Sequence, residues 1–283
     1  MASHIQIGDG DLINGMSVAN CASFSDFNIG FSNIRSLRSN FSLLLANVSN
    51  FIIEPDIIFL SEIWINNDEA NCYKMPGYKF YSCCNDSNRA GGTAVHVKDN
   101  ITITNHFNYQ LITADCLEIN FKVGKVHFIA LCIYRYHLYS INNYLDEIVP
   151  ILHKHSRSKN FLLIGHINID LLQNSNIIDI YKMTQSSLGL YSLINIPTRI
   201  VNDSSSCIDH AFYRFRAKNV SIVGELADFH VSDHLPIRLK LTIKSVSRNP
   251  EIRLQHITST NYELLNNLLQ SQKWDDILLS NCV

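Results

Sequence analysis

Pro55-Asp56-Ile57-Ile58-Phe59-Leu60-Ser61-Glu62-Ile63-Trp64 is an apolar run entered through a proline and left on a carboxylate. Pro55 breaks any preceding helix, so Asp56 to Trp64 reads as a strand buried on both faces. Upstream, Leu37, Phe41, Leu44, Leu45 and Val48 recur at spacings of three and four, which predicts a helix over 37–52. Before it, Phe27 to Ile34 reads as another strand. Strand, helix and strand within about forty residues make a β–α–β unit.

Downstream, a polar stretch ends in Arg89-Ala90-Gly91-Gly92, and Thr93 to Lys98 alternates as a strand does. Strands follow at 101–107, 115–122 and 125–133, with a hairpin turn at Lys122-Val123-Gly124-Lys125. Helical periods cover 142–156 and 176–190, with an apolar strand in Asn160 to Asp170 between them. Residues 192–195 and 208–213 read as strands around a Ser-rich loop, and Val231 to Ile243 as a loop and a strand. Mixed strands and helices in this order predict two sheets packed face to face and flanked by helices.

Composition agrees. The chain has 283 residues, 46% hydrophobic and 17% charged, which excludes a disordered protein. A net charge of −2 excludes a globally basic nucleic-acid coat. The length admits one large domain or two small ones. No apolar leader opens the chain, and no uncharged run is long enough to span a bilayer, so neither a secretory signal nor a membrane partner is expected. Eight scattered cysteines, without C-x-x-C, predict reduced thiols and an intracellular setting. The expected organisation is a lead-in over 1–24, a domain over 25–244, and over 245–283 a linker with the start of a helical connector. The abrupt end suggests a piece of something longer.

The polar residues cluster at strand ends. Asn33 ends the first strand and Glu62 the second; Tyr134 and Arg135 follow the strand at 125–133; Asn168 follows Phe161-Leu162-Leu163-Ile164-Gly165. Asp209-His210 sits in Ser206 to Phe212, and Asp233-His234 precedes Pro236. Strand ends from many strands converge on one rim. A carboxylate, amides, a Tyr and an Asp-His pair suit metal-assisted phosphoryl hydrolysis. Glu62 can hold Mg²⁺, and His234, oriented by a buried Asp, can meet developing phosphorane charge. Alone, each residue has a plainer reading. Glu62 is then a solvated carboxylate, Asp233-His234 a capped turn and Asp209 a loop-edge residue. His153 and His155 are solvent contacts, His96 and His127 structural histidines, and Arg214-Arg216-Lys218 a solvated face. No P-loop, H-E-x-x-H or G-x-S-x-G is present.

These residues carry a resemblance. Asn33-Ile34-Arg35-Ser36-Leu37, Pro55 to Glu62, Arg89 to Val95, Tyr134-Arg135 and Ile164-Gly165-His166-Ile167-Asn168-Ile169-Asp170 follow one another in a specific order. Pro197-Thr198-Arg199, Ile208-Asp209-His210 and Ser232-Asp233-His234-Leu235-Pro236 complete it. The set resembles the endonuclease/exonuclease/phosphatase superfamily, which includes DNase I and the apurinic/apyrimidinic endonucleases. Within it, the set is most similar to the endonuclease domain of non-LTR (LINE-type) retrotransposons. The resemblance covers about residues 27–244 and implies a four-layer α/β sandwich that nicks double-stranded DNA with Mg²⁺, or with Mn²⁺ as an alternative.

By the same resemblance, Glu62 binds the metal, assisted by Asn33 and Asp233. Tyr134 contacts the scissile phosphate and Asn168 helps place the attacking water. His234 stabilises the transition state, oriented by Asp209. Arg35, Arg135 and Arg199 are DNA phosphate contacts, and 198–207 forms the hairpin that probes the groove. A reverse transcriptase domain in a full-length polyprotein and a nuclear site of action follow.

The departures are His166, where the family has a catalytic Asp, together with Ala90, Ile167 and Tyr136-His137. A neutral His supplies no anion, so the expectation is a protein that folds but nicks weakly. Two alternatives stand beside it. One is a catalytically dead pseudoenzyme of the same fold that binds DNA or protein. The other is a phosphomonoesterase. Asp170 is a candidate replacement for the missing base.

Overall fold

The computed structural model describes residues 24–50, 54–84, 90–227, 231–244 and 262–271. The expected lead-in up to residue 23, Arg89 and the linker at 245–261 lie outside them. The chain divides into two compact units, Met1–Ser245 and Val246–Val283. In the second unit the described residues form one helix, Tyr262–Ser271.

In the first unit β1 (Phe24–Asn33), α1 (Leu37–Asn50) and β2 (Ile57–Ser61) form the β–α–β unit read from the sequence. A 3₁₀ turn (Asn67–Tyr73) leads to β3 (Tyr78–Cys83) and β4 (Thr93–Lys98). Then come β5 (Thr102–Gln110), β6 (Ala114–Val123) and β7 (Val126–Arg135). A second β–α–β step runs through α2 (Ile141–Lys154) to β8 (Asn160–His166). The rest is α3 (Asn176–Ser187), β9 (Tyr191–Ser192), β10 (Arg199–Val201), β11 (Ser204–Ser206), β12 (Asp209–Phe215), β13 (Val220–Leu226) and β14 (Ile237–Lys244).

Two six-stranded sheets result, ordered β13-β14-β1-β2-β4-β3 and β5-β6-β7-β8-β12-β9, with β10-β11 as a separate hairpin. The parallel pairs are β1–β2 and β7–β8, each bridged by a helix. The apolar texture of β2 follows from its place between two layers. Ile57 and Phe59 enter the core shared by the sheets, whereas Ile58 and Leu60 pack with Leu37, Leu44 and Val48 of α1. Phe27 of β1 stacks on Phe121 of β6 at 5.7 Å, so the sheets meet face to face. Tyr144, Ile148 and Leu152 of α2 join that core from the far side of the second sheet. The first unit is the four-layer α/β sandwich that the resemblance implied. No helix among the described residues is long and apolar enough to cross a membrane.

Strands β3 and β13 have no counterpart in the sequence reading. Both are sheet edges, half exposed, and lack the apolar run that marks β2 or β8. Two polar readings are also corrected. Arg214 is buried, donating to the backbone oxygens of Leu188 (2.7 Å) and His155 (2.6 Å) at the C-terminal ends of α3 and α2. Arg216 and Lys218 are exposed as expected. His155 is not a solvent contact: it is buried with Nε2 2.9 Å from Glu118 Oε2.

Glu118 also accepts from Tyr109 Oη (2.6 Å) and Asn120 Nδ2 (2.9 Å). Burial alone would raise its pKa. The hydrogen bonds of His155 and Tyr109 and the charge of His155 outweigh burial and bring it to about 2. Because the folded value lies below the unfolded one of about 4.3, the group stabilises the fold by roughly 3 kcal/mol above that pH. This contribution disappears as pH falls through about 2. Urea denaturation should therefore show Glu118→Gln weaker than wild type by about that amount at neutral pH, with the gap closing in acid.

Candidate active site

The ends of β1, β2, β7 and β8 share one rim, and β12, antiparallel to β8, starts there. The backbone after β1 is zipped to the backbone after β2: Ile34 N donates to Ser61 O (3.0 Å) and Ser36 N to Glu62 O (2.8 Å). Arg35, Glu62 and Asn168 have φ of 45°, 53° and 55°, in the left-handed region. Asn tolerates that region; for Glu62 it costs about 1–2 kcal/mol, strain of the kind that collects at functional sites. Asn33 is fully buried, and its Nδ2 donates to Glu62 Oε1 at 2.7 Å.

Asp209 lies opposite His166 in the β8–β12 register and is fully buried. It receives two imidazoles: His166 Nδ1 at 2.8 Å on Oδ1 and His234 Nδ1 at 2.6 Å on Oδ2. Burial raises its pKa, but the charges and hydrogen bonds of His166 and His234 win and hold the carboxyl far below the usual range. An ionised carboxylate only accepts, so both Nδ1 atoms carry hydrogen.

The remaining nitrogen of His166, Nε2, lies 2.8 Å from Asn168 Oδ1 and 3.6 Å from Glu62 Oε1. Asn168 Nδ2 donates to Arg135 O at 2.7 Å, which fixes the amide with Oδ1 toward the imidazole. Burial lowers the His166 pKa, yet the charge and hydrogen bond of Asp209, with Glu62 and Asn168, carry it above the ordinary value. The ring stacks on Tyr134 (5.7 Å, 15°) and meets His234 edge-on at 4.9 Å. Tyr134 is buried, and burial, then the charges of Glu62 and Asp115, raise its pKa.

Glu62, Asn33, Asn168, His166, Asp209, His234 and Tyr134 are thus brought together. Asp233 is 4.0 Å from His234 Nε2, but its carboxylate is taken by Arg35 Nη1 (2.7 Å) and by Arg199 Nε (2.8 Å) and Nη2 (2.7 Å). These bonds lower its pKa to about 2 against the effect of burial. Both arginines remain partly exposed. Arg135 is a correction: it is 3% exposed and turned inward, donating to the oxygens of Ile167, Asn168 and Tyr139, so it is no phosphate contact. Its role is to satisfy carbonyls of the loop that carries Asn168. Asp170 is likewise no replacement base at the rim, because its Oδ1 braces the backbone of Leu172 and Cys207.

Several supporting residues went without a role in the sequence reading. Thr198 Oγ1 accepts from Ile208 N (3.2 Å) and Asp209 N (3.1 Å), and Ser232 Oγ donates to Asn33 O (2.6 Å). Both stand inside the quoted motif blocks, which was the available signal. Asp115 accepts from Gly92 N and Tyr136 Oη, both at 2.6 Å. Its signal is a carboxylate opening an apolar strand. Gly165, next to His166, passes so close to β7 that a Cβ would lie 1.9 Å from Ile133 O. Gly165→Ala should lower stability by about 3 kcal/mol, visible as a lower urea midpoint.

Mg²⁺ takes oxygen ligands in a tight octahedron. Of the carboxylates described at this rim, Asp209 is occupied by two imidazoles and Asp233 by two arginines, leaving Glu62. Beside Glu62 stands a nitrogen, His166 Nε2. This donor set, short of oxygens and carrying a nitrogen, holds Mg²⁺ poorly. His166, Asp209 and His234 do form a buried group whose ligand atoms lie within 4.8 Å of one another.

A solved structure of humanized D. rerio TDP2 carrying 14 mutations matches with TM-score 0.60 at 12% identity, over 76% of this chain and 98% of that one. The human Nocturnin catalytic domain with bound sulfate matches with TM-score 0.58 at 14% identity, over 80% and 98%. The endonuclease domain of TRAS1, a telomere-specific non-LTR retrotransposon, matches with TM-score 0.57 at 14% identity, over 78% and 99%. At such identities these likenesses carry the fold alone. No curated protein matches by sequence. The family model for the Endonuclease/Exonuclease/phosphatase family matches residues 20–234, a span that holds every residue of the rim from Asn33 to His234. That family consists of hydrolytic nucleases and phosphatases, typically dependent on a divalent metal. The chain belongs to the endonuclease/exonuclease/phosphatase family.

Proposed function

We propose that this chain is a DNA-nicking phosphodiesterase, the endonuclease domain of a non-LTR retrotransposon, whose Mg²⁺-dependent turnover is weakened by His166. The observation that carries the reading is the meeting of Glu62, Asn168, Asp209 and His234 on one rim. The order of the motif blocks supports the retrotransposon assignment, and a TRAS1 endonuclease neighbour of the same fold is consistent with it.

In this reading a DNA phosphodiester sits against His234. Its Nδ1 is anchored on Asp209, which leaves Nε2 to meet charge on the phosphate. Arg35 and Arg199, partly exposed on either side of Asp233, present their free N–H groups to phosphate oxygens. The β10–β11 hairpin beside Arg199 reaches the groove. A reverse transcriptase further along the polyprotein and action in the nucleus belong to the same proposal.

A supercoiled-plasmid assay with Mg²⁺ or Mn²⁺ tests it. Slow conversion to open circles, abolished by His234→Ala, is expected. DNA that is neither bound nor cut would contradict the reading. One observation favours a second reading, a DNA-binding pseudoenzyme: an imidazole stands where the family has a carboxylate. Gel-shift binding of the plasmid with no open circles at any metal concentration would select it.

A further inference from the structure

We propose that the rim around His166 is a site for a borderline transition ion, of the Zn²⁺ or Co²⁺ type, held by His166 Nε2, Glu62 Oε1 and Asn168 Oδ1. The inference concerns what the pocket binds and stands whether or not the chain cuts DNA.

Three potential ligand atoms stand around the Nε2 proton that His166 shares with Asn168 and Glu62. Asp209 takes the Nδ1 hydrogen of His166, so Nε2 is the nitrogen left to coordinate. The Asn168 amide is fixed by its bond to Arg135 O, so Oδ1 is the atom facing Nε2. Glu62 Oε1 already receives one N–H from Asn33 and has a lone pair to spare. An ion that displaces the Nε2 proton meets a lone pair on each of the three atoms.

The spacings suit a metal. Two donors bound to one ion at 2.0–2.1 Å lie about 3.0 Å apart at a right angle and about 3.4 Å apart at a tetrahedral angle. Nε2 to Oδ1 is 2.8 Å and Nε2 to Oε1 is 3.6 Å. The arrangement behind the imidazole is the one metal-binding histidines use, with the far N–H on a carboxylate that sets the tautomer and raises ligand basicity. Asp209 supplies it from a fully buried position. The mixed nitrogen and oxygen donor set selects the ion, because imidazole suits Zn²⁺, Ni²⁺ or Cu²⁺, whereas Mg²⁺ wants oxygens. Glu62 and Asn168 are partly exposed, so the site opens to solvent.

Co²⁺ titration of the metal-free full chain, followed by visible d–d absorption, tests the proposal without DNA. Thiols are first blocked with N-ethylmaleimide, because Cys72 is exposed and would compete. A saturable one-to-one signal is expected, undisturbed by about a hundredfold excess of Mg²⁺ and displaced by Zn²⁺. His166→Ala should remove the signal, and Asp209→Asn should weaken affinity by about 10–100-fold. Should His166→Ala fail to fold, judged by circular dichroism, the near-isosteric Glu62→Gln carries the test, with at least about a tenfold loss expected. No saturable signal, a signal unchanged in His166→Ala or Glu62→Gln, or displacement by equimolar Mg²⁺ would overturn it. No signal would mean that a proton on Nε2 satisfies the three acceptors instead.

Discussion

His166→Asp is expected to raise the rate of supercoiled-plasmid nicking in Mg²⁺ by about 10²–10⁴-fold, the scale of a well-placed general base. The substitution replaces a nitrogen with a second carboxylate beside Glu62, giving the rim the oxygen donors that a hard cation takes. It has a cost that can be measured alongside. Asp209 loses the Nδ1 donor now 2.8 Å from Oδ1 and gains a carboxylate neighbour of like charge. The variant should therefore be less stable by about 1–3 kcal/mol while it becomes the better enzyme. In this view His166 stabilises the fold and weakens the hold of the rim on Mg²⁺.

Asp209→Asn is the largest expected loss of stability, about 3–5 kcal/mol, because it removes the anion on which two buried imidazoles depend. Asparagine can satisfy one Nδ1–H through Oδ1, but its amide would face the other ring donor to donor. Urea denaturation at neutral pH reads the loss, and a change below about 1 kcal/mol would show that the clamp is not structural. The pH course has a definite sign. The Asp209 pKa is depressed in the fold, so its contribution is whole above the unfolded value of about 3.9 and is lost only as acid protonates it. The His166 pKa is raised, so its share is whole below about 6.5 and is lost as pH rises through the folded value.

Much of this was legible in the chain. Pro55, the β2 run and the helical spacing of Leu37, Leu44 and Val48 specify one β–α–β unit, because period and breaker agree. Edge strands such as β3 and β13 bury one side poorly and leave a weak pattern. The candidate residues Glu62, Asn168, Asp209 and His234 were legible because each interrupts or ends an apolar segment. Arg135, Arg214 and His155 were misread for a common reason. A buried polar side chain is explained by its partner, and these partners lie far along the chain: the Ile167 and Asn168 carbonyls for Arg135, Leu188 for Arg214, Glu118 for His155. The role of His166 was hidden the same way. The sequence shows a missing acid; the β8–β12 register shows an imidazole seated on Asp209.

We propose this rim as the catalytic centre of a family hydrolase, with His166 as the residue that limits it. Plasmid nicking in Mg²⁺ by wild type, His166→Asp and the double variant His166→Asp/His234→Ala, assayed side by side, tests it most directly. Slow nicking by wild type, a gain of about 10²-fold or more in the single variant, and loss of that gain in the double are expected. Wild-type nicking as fast as His166→Asp, or full activity surviving without His234, would contradict it.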